Sequence, residues 1–155
     1  MAYYLRAFCT SESRPSIDQL DEVLRRDNSK ARLETNDNRM AANWNEAEFY
    51  YKEEKQPVII EVNENENAKS LAAEEIQEFV EIIGNPGLSF AKRRVLNHLS
   101  KTRFIISCQL LSDIDDDGYH WTGEILNFYV ANFGGMIQAD REGFYKGHKI
   151  IVDMA

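Results

Sequence analysis

The chain has 155 residues, 43% of them apolar and 28% charged, with a formal net charge of −8. That length and apolar share are enough for one real core, which excludes a disordered chain and points to a single domain. The carboxylate excess opposes wholesale nucleic-acid binding, because a phosphate backbone would be repelled by most of the surface, and no run approaches the roughly 18 apolar residues of a membrane span.

The first nine residues, MAYYLRAFC, carry one charge and no long apolar stretch, so the expectation is a soluble, unexported, cytoplasmic protein. Within them YYLRAFC predicts a first strand with Tyr3, Leu5, Ala7 and Cys9 on one face. Cys9 and Cys108 both lie in apolar strand-like runs, the usual setting of a buried free thiol. In SIDQLDEVLRR, Ile17, Leu20, Val23 and Leu24 recur at helical spacing behind a Ser16/Gln19 capping box. ARLETND and NWNEAEFYYK read as strands, the second with Ala47, Phe49 and Tyr51 on one side and Trp44, Glu46, Glu48 and Tyr50 on the other. PVIIEV is a further strand after a turn at KEEKQ.

The polar NENENAKS leads into a helix over 68–83, with Ala72, Ile76, Phe79, Val80 and Ile83 as its apolar stripe; GNPG ends it. A second helix over 89–100 turns Ala91, Val95 and Leu99 inward. Residues 82–112 hold no Asp or Glu, but Lys92, Arg93, Arg94, Lys101 and Arg103 place a basic cluster there. That cluster reads as a solvated helix face or as a site for an anion or an acidic partner. RFIISCQLL predicts a buried strand, and Thr122, Ile125, Leu126, Tyr129, Val130 and Phe133 keep helical spacing until GG. MIQAD, GFYK and KIIVDM close the chain as short strands.

The expected fold is therefore a single α+β domain with a mostly antiparallel sheet. Two strand-helix-strand-strand-strand modules, 1–66 and 102–155, flank a helical insert, 67–101. EAEFYYKEEKQPVIIEV and DREGFYKGHKIIVDM share an acidic residue, an aromatic pair, a lysine, a turn and an aliphatic strand, which suggests an internal repeat with a pseudo-twofold axis. This element order resembles the paired modules of the vicinal-oxygen-chelate enzymes and, less closely, the tandem modules of gyrase-inhibitor-like ligand binders. The former mount a metal on His and Glu from facing strands. His98, His120 and His148 fall on a helix or loops, so the resemblance implies no metal site here, and the helical insert belongs to neither plan.

DIDDDGYHWTGE, residues 113–124, matches the calcium-loop pattern, with Asp113, Asp115, Asp117 and Glu124 as ligands and Gly118 at the turn. An EF-hand loop follows a helix, whereas a strand is expected before this one; acidic residues that cap the next helix account for the stretch without an ion. No cofactor is implied, and no catalytic residue is assigned. The leading expectation is a non-enzymatic binding protein of immunity or inhibitor type, with a protein partner or small ligand and edge strands able to support a homodimer. The alternative is a small-molecule binder or enzyme with a site between the modules, formed by Trp44, Glu48, Tyr50, Glu142 and Tyr145. Calcium binding through 113–124 is the second alternative.

Overall fold

The computed structural model describes residues 3–155. Its elements run β1 (Tyr3–Cys9), α1 (Ile17–Asp27), β2 (Arg32–Glu34), β3 (Glu46–Tyr50), β4 (Val58–Glu64), α2 (Leu71–Ile83), α3 (Phe90–Ser100), β5 (Phe104–Leu110), α4 (Asp116–Phe133), β6 (Gly135–Ala139), β7 (Gly143–Lys146) and β8 (Lys149–Asp153). All eight strands join one antiparallel sheet in the order β2-β3-β4-β5-β1-β6-β7-β8, giving a single α+β domain. Among the described residues no helix is long and apolar enough to cross a membrane.

Helix starts follow side-chain caps. The Ser16 hydroxyl accepts from the Gln19 amide while Gln19 accepts from the Ser16 amide, the reciprocal box that the sequence predicts. Ser70 caps α2 at Ala73, so that helix starts at Leu71, three residues later than the expected start at 68. The strand expected over 31–37 is cut to three residues. Asp37 turns its carboxylate onto the Asn45 and Glu46 amides, and the Thr35 hydroxyl donates to the Glu46 carbonyl, which folds this stretch into a turn.

The helices cover the sheet diagonally. On the first face α1 and α4 bring Leu20, Leu24, Ile125 and Tyr129 against Ala7, Phe49, Ile60 and Ile106. On the second, α2 and α3 bring Phe79, Ile83, Val95 and Leu99 against Phe8, Ile105, Phe144 and Val152. Central strands β1 and β5 are thus buried on both faces, which is why FIISCQL reads as a continuous apolar run. Each fully buried Leu, Ile or Phe stabilises by roughly 1.5–3 kcal/mol. The Phe8, Phe79 and Phe144 rings meet at centroid distances of 5.5–5.8 Å. Cys9 and Cys108 are buried and free; burial raises both thiol pKa values, that of Cys108 to about 12.

The strand-helix-strand-strand-strand order occurs twice, and the sequence echo falls on the hairpins β3–β4 and β7–β8. The two halves differ in how the chain crosses the sheet. β5 and β1 lie side by side at the sheet centre, and the crossings that leave them run through α4 and α1 on one face. The crossing from β1 to β2 passes three strands, leaving room for β3 and β4 to fold back inward. The crossing from β5 to β6 passes only β1, so β7 and β8 must run outward. Gly143 permits that outward hairpin: its φ is 140°, and a Cβ there would lie 2.0 Å from the Val152 carbonyl oxygen.

Candidate functional site

The five residues expected to form a site between modules do not meet. Glu48 and Tyr50 stand on β3 and Tyr145 on β7, five ladder spacings apart, which is about 24 Å. Trp44 is not on the outer face of a strand, because β3 begins only at Glu46. Its ring is 1% exposed, and the indole Nε1 donates to the Pro15 carbonyl at 2.8 Å. The Arg14 guanidinium lies 5.5 Å from its centre, bonded to the Trp44 carbonyl and paired with Glu64 at 3.0 Å. Trp44 is a core residue that orders the chain entering β3.

Glu142, in the β6–β7 turn, accepts the Tyr3 hydroxyl on one oxygen and the Tyr145 hydroxyl on the other. The bond to Glu142, then burial, pushes the Tyr145 pKa up to about 12, and burial first raises that of Tyr3. This closed three-residue clamp ties the turn to the free end of β1.

The acidic stretch 113–124 runs into α4. The Asp115 carboxylate accepts from the Gly118 amide at 3.0 Å as N-cap, and that bond first, then Lys52, lowers its pKa. Lys52 Nζ lies 3.2 Å from Asp115 and 3.1 Å from Asp117, and Asp113 accepts from the Gln56 amide at 3.0 Å. Burial, then Asp115, raises the pKa of neighbouring Tyr51 to about 12. Glu124 lies eight residues inside the helix that starts at Asp116, about 12 Å along its axis, so it cannot close a shell with Asp113, Asp115 and Asp117. Among the described residues no cluster of three His, Cys, Asp or Glu side chains could hold a metal ion.

What the fold does assemble is a carboxylate-lined half-face. The α2–α3 pair packs over β1, β5 and β6–β8, and α2 meets β4 along one side, leaving the second face of β2 and β3 and the outward Glu61 of β4 open. Strand alternation turns Ala47 and Phe49 inward and Glu46, Glu48 and Tyr50 outward. Register sets Glu34 directly opposite Glu48, and Glu46 directly opposite Glu61. Such pairs, with Cβ atoms about 4.5–5.5 Å apart, destabilise a sheet when the charges are alike. Arg32 partly offsets the first pair, 2.9 Å from Glu34 and stacked 4.2 Å over the Tyr50 ring. Glu46 and Glu61 make no ion pair among the described residues.

Towards the sheet centre this face deepens into a groove of about 420 Å³, floored by Tyr4, Arg6, Glu61 and Asn63 and walled by Glu74, Glu75 and Glu78 of α2. Arg6 anchors it: Nε pairs with Glu75, Nη1 lies 2.8 Å from both Asp140 and Gln138, and the guanidinium stacks on Tyr4 and Phe79. Burial raises the Glu75 pKa, and Arg6 opposes the rise. Of these residues the sequence places Glu46, Glu48 and Tyr50 on one outward face and assigns only Glu48 and Tyr50 to a site. The outward Ile59/Glu61/Asn63 alternation of β4 and the lone charge in YYLRAFC are the signals that mark Glu61 and Arg6. Compared with known proteins, the chain matches no family model, no curated protein and no solved structure.

Proposed function

We propose that the chain is a non-catalytic binding protein that captures a basic protein segment on the open face of β2 and β3, across Glu61 of β4 and along the α2 wall. Support comes from two directly opposed carboxylate pairs, Glu34/Glu48 and Glu46/Glu61, on an uncovered sheet face. Their repulsion costs stability in the free chain, and lysine or arginine side chains from a partner would relieve it. Complementarity of this kind acts on encounter rate and partner choice, as suits an immunity- or inhibitor-type protein that neutralises a cationic surface.

The test is an amide chemical-shift titration with a lysine- and arginine-rich peptide of about 20 residues, at low and at physiological salt. Perturbed amides should cluster on β3, β4 and the first half of α2. Glu46→Gln/Glu61→Gln should weaken binding by about tenfold while raising the melting temperature. Asp27→Asn/Glu124→Gln, the same charge change on the other side of the sheet, should alter affinity by less than about twofold. Shifts spread evenly over all acidic surfaces, or equal weakening by the control pair, would overturn the proposal, as would a chain that occupies this face with a second copy of itself.

A further inference from the structure

We infer that the opposite end of the molecule holds a separate binding site for a small organic phosphate, in a basic cavity at the fork between β6 and β7. The fork has a backbone origin. Those strands pair only at Gln138–Phe144 and Ala139–Gly143, and a register shift in the β7–β8 hairpin between Phe144 and Tyr145 then carries β7 away. On the β1 side, the Thr10 amide bonds the Gly134 carbonyl and the Asp140 amide bonds the Tyr4 carbonyl, so the even-numbered residues of β6 face β1. The main-chain groups of Gly135 and Ile137 therefore face the fork, where β7 supplies no register partner.

Helices α3 and α4 wall this fork into a cavity of about 430 Å³, within the usual range for a small-ligand pocket. Arg94 reaches it from α3, Lys101 from the C-cap of that helix and Lys146 from β7, and no carboxylate lines it. None of the three cations makes an ion pair among the described residues, in a chain whose net charge is −8. Asn97 and Asn127 add amide donors at the rim and Thr10 a hydroxyl, while Val130 and the Tyr145 ring supply an apolar wall. His98 gives its Nε2 hydrogen to the Phe8 carbonyl at 2.6 Å. Burial lowers its pKa, and the positive fields of Arg94 and Lys101 add to that.

Converging cations without a counter-charge repel one another, and a dianion relieves that cost. A phosphate monoester fits best, because its oxygens accept from guanidinium, ammonium and amide donors together, and the apolar wall takes its carbon skeleton. This site shares no residue with the acidic face and does not depend on the function proposed for it.

The experiment titrates the intact chain with inorganic phosphate, ribose 5-phosphate, AMP and citrate, read by amide chemical shifts and calorimetry. A phosphate monoester should bind saturably and shift the Gly135, Ile137, Lys146 and Gly147 amides. Arg94→Ala and Lys146→Ala should each weaken it by about tenfold, the loss of one charge-assisted contact. Lys92→Ala removes the same charge from α3 outside the cavity and should change affinity by less than about twofold. Lys101 is left intact because its charge also offsets the C-terminal end of α3. Citrate binding as tightly as the monoesters, equal weakening by Lys92→Ala, or no saturation below about 20 mM ligand, would overturn the inference.

Discussion

Replacing Arg6 by Leu tests the anchor of the acidic groove. Its side chain is 15% exposed, Glu75 is 22% and Asp140 is 29% exposed. Removing one partner of a fully buried ion pair costs about 3–5 kcal/mol, and a surface pair about 0–1 kcal/mol. This degree of burial places Arg6→Leu between them, at about 2–3 kcal/mol, or a drop in melting temperature of roughly 5–10 °C for a domain this size. The loss has a pH signature.

Without Arg6, burial first and then the Glu78 and Asp140 carboxylates act unopposed on Glu75, and its folded-state pKa climbs further above the ordinary 4.5. A carboxyl with a raised pKa binds its proton more tightly when folded. Its effect is therefore least harmful below the unfolded value, and stability is lost as pH rises through the folded value. The penalty of Arg6→Leu should thus shrink as pH falls from about 7 to about 5. In Arg6→Leu/Glu75→Leu, where only the more exposed Asp140 is left without its partner, at least about half of the lost stability should return. Urea unfolding followed by circular dichroism across this pH range measures both effects. A penalty that does not vary with pH, or a double variant no more stable than the single one, would refute the assignment of Arg6 as the counter-ion that holds Glu75 in place.

Trp44→Ala should destabilise by about 3–5 kcal/mol, the range for deleting a buried aromatic side chain, and would leave the peptide titration of the acidic face unchanged in any variant fraction that stays folded. A ligand-binding Trp would give the reverse pattern, with affinity lost and the unfolding midpoint retained. Millimolar Ca²⁺ should move the melting temperature by less than about 1 °C, and EDTA by no more, since a ligand that does not bind the folded state cannot stabilise it; a rise that EDTA reverses would show that residues 113–124 rearrange around an ion.

Periodicity and capping made the elements legible, because each is decided within a few residues. Helix α1 keeps its apolar spacing and its Ser16/Gln19 box, and FIISCQL is read correctly as a strand buried on both faces. Trp44 was misplaced because alternation was extended two residues beyond the start of β3, into a segment governed by contacts with distant Arg14 and Pro15. The site proved hardest to see. Glu34 meets Glu48, and Glu46 meets Glu61, only through register, and register depends on how β2, β3 and β4 fold back under α1. The basic cluster was visible as a composition shift. Its cavity depends on Lys146 and on the parting of β6 from β7, which no local pattern encodes.

Residues 65–103 leave the sheet and rejoin it at one place, since Glu64 and Phe104 are directly opposed neighbours in the β4–β5 ladder. In topological terms the α2–α3 pair is an elaborated hairpin loop, and the strand order would survive its replacement by a tight turn. The shortened chain would expose Phe8, Phe144 and Val152 and lose one wall of each proposed site. Both proposed sites therefore draw one wall from a single connection, lengthened over a sheet whose strand order does not require it.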